Sequence, residues 1–252
     1  MIERSALLGY LADLLQIHAY DDYAPNGLQV EGRATVQRLL TGVTASQALL
    51  EAAVEFGADA LLVHHGYFWK GEDPVVTGMR RQRLKLLLDN DINLLAYHLP
   101  LDGHPELGNN AQLARRLGIE VTGRVAGQNG PELVFQGRLT PPSTPREFGA
   151  RLASALGRTP LHIPGGGDRI ATIGWCTGAA QGMIELAAAA RLDAYISGEI
   201  SEPTVHAARE LGIHYFAAGH HATERGGVEA LGTHLAERFQ LEHRFVDIDN
   251  PA

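Results

Sequence analysis

Apolar residues recur along this chain in two rhythms. Leu7, Leu8, Leu11, Leu14 and Leu15 repeat at helical spacing and predict an amphipathic helix over about 3–16. Beyond it, short apolar runs alternate with amphipathic stretches. They predict strands at 38–43, 60–64 and 92–97, with helices ending at Gly57, near 80–89 and over about 110–117. Asp22-Tyr23-Ala24-Pro25-Asn26-Gly27 reads as a turn, and Thr44-Ala45-Ser46-Gln47 has the form of a capping box. The stretch 119–168 breaks the alternation. It predicts a strand near 133–139, a Pro-rich turn at 141–145, a helix ending near Gly157, a short strand at 160–163 and a break at Gly165-Gly166-Gly167. Then the alternation resumes, with strands near 170–176, 194–197 and 214–218, helices near 181–191, 202–211 and 224–238, and a last strand near 243–248. Such an order predicts an α/β fold with mostly parallel sheets.

The two halves are related. A shift of 134 residues places Gln47 on Gln181, Glu51 on Glu185, Ala53 on Ala187 and Asp59-Ala60 on Asp193-Ala194; it also places His64 on Gly198 and His65 on Glu199. A shift of 121 places Ile92 on Ile213, Ala96 on Ala217, and Asp102 one position before Glu224. We therefore expect a first α/β half over 1–125 and a second over 126–252. The second would carry a strand-helix-strand insertion at about 126–168, and a site would lie between the halves.

Composition narrows the function classes. The 252 residues are 45% hydrophobic and 20% charged, which suits one large α/β domain or two small ones. A formal net charge of -8 disfavours a nucleic-acid reader, although Lys70, Arg80, Arg81, Arg83 and Lys85 form a local basic run. Cys176, the one cysteine, has no partner for an internal disulfide. No apolar run reaches membrane-spanning length, and Asp13 interrupts the N-terminal leucines in a way no secretory signal does. A cytoplasmic protein is expected, with no membrane partner.

Chemistry concentrates where predicted strands end. Ala60-Leu61-Leu62-Val63 runs into His64-His65-Gly66, Tyr97 into His98-Leu99-Pro100-Leu101-Asp102, and Gly219 into His220-His221-Ala222-Thr223-Glu224. Open α/β sheets bind ligands at such ends. His64, His65, Asp102, His220 and Glu224 supply imidazole and carboxylate donors without thiolate, a set that suits Zn, Mn, Fe, Co or Ni alike. Neighbours on a strand point to opposite faces, so His64 and His65 share a site only if the strand ends between them. His220 and Glu224 are four apart but straddle a predicted strand-to-helix junction. His98 and Glu199 are candidates for orienting ligands or moving protons. His104, His162, His206, His214, His234 and His243 read as ordinary structural histidines. Tyr67-Phe68-Trp69-Lys70 reads as core or subunit packing, with stacking on a flat ligand as the alternative. The glycine run lacks the Lys-Ser or Lys-Thr of a phosphate loop.

Four segments carry a resemblance: Asp22 to Gly32 (DYAPNGLQVEG), 61–71 (LLVHHGYFWKG), 98–114 (HLPLDGHPELGNNAQLA) and 217–227 (AAGHHATERGG). Together they resemble the NIF-three-like family, whose members carry the name GTP cyclohydrolase 1 type 2 homolog, and the short bacterial members most. The resemblance runs nearly end to end. It implies two intertwined α/β domains, a toroidal homohexamer, and two divalent metal ions per subunit held by His64, His65, Asp102, His220 and Glu224, with Glu224 as the bridge. The long central insertion of some members is absent.

The expected activity is a dinuclear metal-dependent hydrolase, acting through a metal-bridging hydroxide on an unidentified small molecule such as a nucleotide or cyclic amide. His98 is the candidate for proton transfer. The alternative is a metal-binding toroidal scaffold, or a nucleic-acid-associated protein, without turnover. No motif dedicated to reading guanine is present.

Overall fold

Apolar runs become buried parallel strands, because a parallel sheet is covered on both faces and has no solvent side to mark with polar residues. The computed structural model describes residues 1–127 and 131–252, so positions 128–130 of the expected insertion lie outside the described residues. Two compact units emerge, 1–108 with 227–249 and 109–226 with 250–252.

Along the first unit run β1 (Ile2–Glu3), α1 (Arg4–Leu15), β2 (Gly27–Val30), β3 (Thr35–Val36), β4 (Arg38–Thr44), α2 (Gln47–Phe56), β5 (Ala60–His65), α3 (Gly78–Asp89), β6 (Asn93–Ala96) and α4 (Leu99–Gly103). The second contains α5 (Asn109–Leu117), β7 (Glu120–Arg124), β8 (Phe135–Ser143), α6 (Pro145–Leu156), β9 (Leu161–Ile163), β10 (Ile170–Trp175), α7 (Ile184–Ala189), β11 (Ala194–Ser197), α8 (Glu202–Glu210) and β12 (His214–Ala217). The chain ends with α9 (His220–Phe239) and β13 (Glu242–Phe245), which return it to the first unit. A single cut at 125/126 cannot express that return.

The first sheet has the order β13-β4-β5-β6-β2. Its first four strands are parallel and β2 is antiparallel. Side chains alternate across it as the pleat requires. Leu39, Val43, Ala60 and Leu62 face Leu7, Leu11 and Leu15 of α1 and Val228, Leu231 and Leu235 of α9. Leu40, Leu61 and Val63 face Leu49, Leu50 and Ala53 of α2. Each fully buried leucine contributes about 2 kcal/mol. The second sheet has the order β7-β8-β10-β11-β12-β9, parallel at β10-β11-β12 and antiparallel elsewhere. Its core includes Phe148, Ile173, Trp175, Ile196 and Phe216.

The repeat read from the sequence is a repeat of register. Leu39 stands opposite Ala60, and Ile173 opposite Ala194; Ala60 stands opposite Asn93, and Ala194 opposite His214. The same two shifts, 134 and 121, carry one set onto the other. They extend to the antiparallel edges, where Gly27 faces Ala96 and Leu161 faces Ala217. The short strand expected in an insertion, β9, is therefore the second unit's counterpart of β2, and α6 stands before β9 in the chain as α1 stands before β2.

Local differences have local causes. Thr44-Ala45-Ser46-Gln47 is not a capping box: Ser46 alone caps α2, accepting from Leu49 N–H at 3.3 Å, while Thr44 ends β4 and turns its hydroxyl to His65. The Pro-rich turn at 141–145 is strand to Ser143. Pro141 and Pro142 sit in an irregular stretch of β8, where the ladder slips between Ile170 and Thr172 and needs no donor. A full capping box stands immediately after it, between Thr144 and Glu147. Among the described residues, no helix is long and apolar enough to cross a membrane.

Candidate metal centre

The first unit gathers three imidazoles and a carboxylate at the carboxyl ends of β5 and β6. β5 continues through both His64 and His65, contrary to the expectation that the strand ends between them. Their rings nonetheless lie 4.5 Å apart between centroids, tilted by 46°. The His98 ring lies 5.0 Å from that of His64 and 5.7 Å from that of His65. One ring nitrogen from each of the three falls within 4.8 Å of the others, a spacing that could hold a metal ion. Asp102 sits on α4, the short helix that periodicity alone did not show, and its Oδ1 is 3.5 Å from His64 Nε2. His64, His98 and Asp102 are buried.

The second unit supplies His220 and Glu224. Both lie on α9, which begins at His220 rather than near 224, so the interval of four residues puts them on one helix face. His220 Nε2 is 3.2 Å from Glu224 Oε2, and its Nδ1 is 2.7 Å from Glu199 Oε1. Burial pulls the imidazole pKa down, but Glu224 and then Glu199 outweigh it and raise the value to about 9. Metal binding at His220 must expel that proton. Two glycines make room. A Cβ on Gly178, whose φ is +69°, would come within 2.1 Å of Glu224 Oε1, and one on Gly198 within 2.6 Å of His220 Cα. Gly198 is the counterpart of His64 and Glu199 that of His65, so the equivalent strand end of the second unit holds a support instead of a histidine pair.

The four cluster histidines share one kind of anchor. Each is held through Nδ1: His64 by the Tyr97 carbonyl at 2.9 Å, His65 by the Thr44 hydroxyl at 3.1 Å, His98 by Asp22 Oδ1 at 2.9 Å and His220 by Glu199. A carbonyl or carboxylate can only accept. In the neutral ring, Nδ1 of His64 and His98 therefore carries the proton and Nε2 presents its lone pair, whereas His220 faces a carboxylate at each nitrogen. Such anchoring orients an imidazole toward a metal, and it equally leaves the free nitrogen open to a proton. His162, His206, His214, His234 and His243 use Nε2 for a hydrogen bond within the protein, His214 also uses Nδ1, and His104 Nδ1 accepts from the Glu106 and Leu107 N–H groups, which leaves the proton on its Nε2.

The supports Asp22, Thr44 and the Tyr97 carbonyl were not found from the sequence. The signal available for Asp22 was its place in the segment Asp22 to Gly32. Its carboxylate is buried and accepts from His98 Nδ1, Asn26 Nδ2 at 3.0 Å and Leu99 N–H at 2.9 Å. Burial pushes its pKa up, and these hydrogen bonds, with the charge of His98, outweigh burial and hold it below the usual carboxylate value.

Comparison with known proteins places these residues in a family setting. A profile of the family described as Duf34/NIF3 (NGG1p interacting factor 3) matches residues 2–251. A Pseudomonas aeruginosa protein named GTP cyclohydrolase 1 type 2 homolog is 61% identical over 231 residues, which cover 92% of this chain and 91% of that one. The Escherichia coli K12 protein of the same name is 57% identical over 235 residues, 93% of each chain. Among solved structures, protein ybgI, described as of unknown function, superposes with a TM-score of 0.96 at 54% identity over the whole of both chains. TTHA1606 from Thermus thermophilus does so with a TM-score of 0.89 at 35% identity, again over both chains in full.

Proposed function

The chain belongs to the Duf34/NIF3 family, and from that premise and the donor chemistry of its two clusters we propose that it is a dinuclear metal-dependent hydrolase. His64, His65 and Asp102 from the first unit, with His220 and Glu224 from the second, would hold two divalent ions. The donor set fits: imidazole nitrogens aimed by Nδ1 anchors, two buried carboxylates able to bridge, and no thiolate. The anchoring through Nδ1 is the observation that carries this reading. The ions, when bound, supply Lewis acidity and lower the pKa of water toward neutrality.

The chain's own residues supply the rest. Tyr97, Thr44 and Glu199 fix the imidazoles before any ion arrives, which lowers the ordering cost of binding. His98 takes up a proton at Nε2 and returns it, with Asp22 holding the opposite nitrogen and balancing the imidazolium. The names of the relatives suggest a nucleotide as substrate. Family membership also leads us to propose a ring of six copies.

Metal analysis of purified variants, paired with a turnover screen over nucleotides, phosphoesters and cyclic amides, tests the reading. His64→Ala and Glu224→Ala should lose metal while staying folded, and His98→Gln should keep metal and lose turnover. Full metal content in both ligand variants would reject the assignment. A uniformly negative screen on fully loaded protein would favour a metal-holding scaffold.

A further inference from the structure

Two aromatic side chains stand beside the histidine cluster of the first unit. Tyr23 and Trp69 have ring centroids 5.6 Å apart and planes tilted by 33°. Both meet the His98 ring nearly edge to face, at 5.0 and 5.1 Å, and Trp69 lies 5.9 Å from His65. The loops that carry them are tied together and held in place. Lys70 N–H donates to the Tyr23 carbonyl at 2.8 Å, and Trp69 N–H donates to Glu72 at 3.2 Å. Asp22 and Asn26, on either side of Tyr23, bind the backbone N–H groups of Leu99 and His98.

These rings are held, yet they are not consumed by the core. Tyr23 is 53% exposed and Trp69 half-buried. Their neighbours differ. Tyr67 is buried with its hydroxyl on the Ala45 carbonyl, and Phe68 lies under the Arg80 guanidinium at 5.0 Å. Neither a phenol ring nor an indole adds a usual metal donor here. What both offer, within 6 Å of the imidazoles, is flat apolar surface with a π face, which accepts planar rings of many kinds.

We infer that Tyr23 and Trp69 form a stacking wall for a planar heteroaromatic ring, and that the substrate of the adjoining centre carries such a ring. The inference rests on the proposed function for the word substrate; the stacking needs only the two side chains.

Tryptophan emission tests it in the assembled, metal-loaded protein. Of the two tryptophans, Trp175 is fully buried, so quenching by a small solute reports on Trp69. Guanosine and adenosine should quench saturably, and ribose should not. Tyr23→Ala should weaken the apparent affinity by about tenfold, and Trp69→Phe should abolish the signal. Acrylamide that cannot reach Trp69 would show the wall to be covered and would overturn the inference. So would protein of full metal content that shows no saturable quenching by either nucleoside. Metal content measured on the same samples separates the two ideas: saturable quenching without metal binding counts against the hydrolase reading and leaves the wall standing.

Discussion

A neutral imidazole offers a metal only the nitrogen that carries no proton, so the partner of the other nitrogen decides what a histidine can do. Twelve histidines occur in this chain. His64, His65, His98 and His220 are each anchored at Nδ1, and burial does not separate them from the structural histidines, since His220 is more exposed than His214. Glu199 should therefore matter through His220 alone. Replacing it with glutamine keeps an acceptor and removes the charge. We expect metal affinity to fall by about 10–100-fold with little change in stability, measured by competition with a chelator of known affinity. Unchanged affinity would mean that the charge of Glu199 contributes nothing to holding the metal.

At the scale of elements, caps decide where helices start and what the neighbouring residues are released to do. Ser46 takes the cap of α2, which frees Thr44 to reach His65. At α6, Thr144 and Glu147 satisfy each other's backbone donors, and Pro145 begins the helix with φ already set. Ser46→Ala and Thr144→Ala should each cost about 1 kcal/mol in urea denaturation. Thr44→Ala should cost less stability than Ser46→Ala but loosen His65, visible as broadened ring resonances. If Thr44→Ala proves the more destabilising, the assignment of the cap to Ser46 fails.

At the scale of the whole molecule, the repeat is held by a pair of equivalent brackets. Asp59 Oδ2 accepts from Gln37 and Arg38 N–H, both at 2.9 Å, at the start of β4. Asp193 Oδ2 accepts from Ala171 N–H at 2.9 Å and Thr172 N–H at 2.8 Å, at the start of β10. The Asp59 carbonyl then receives Asn93 N–H, and the Asp193 carbonyl His214 N–H, both at 3.0 Å. One aspartate thus joins three parallel strands in each unit. Burial pushes the Asp59 pKa up, but the backbone N–H groups and Arg33 outweigh it and hold it below the usual value. A depressed folded pKa adds stability that is complete above the unfolded value near ~3.9 and lost as pH falls through the folded one. Asp59→Asn should therefore lower stability at neutral pH and flatten its decline below about pH 4. Asp59→Ala and Asp193→Ala should each cost about 1–3 kcal/mol, and hydrogen exchange should rise first in the sheet of the altered unit.

Much of this was local enough to read in advance. Periodicity gave the strands Ala194–Ser197 and Asn93–Ala96 nearly to the residue, because a strand covered on both faces must be apolar throughout. Asp59-Ala60 and Asp193-Ala194 marked the repeat because each pair both brackets and begins a strand. The expected donor residues lie at or after the ends of β5, β6 and β12. Only tertiary structure decided that β5 passes through both histidines, that α4 carries Asp102, that α9 starts at His220, and that β9 mirrors β2. It also decided which nitrogen each imidazole presents. Hydrophobic period is a property of neighbours in sequence, whereas the Nδ1 partners Tyr97, Thr44, Asp22 and Glu199 come from positions 21 to 76 residues away. Proximity between residues so distant is created by folding and has no local trace in the chain.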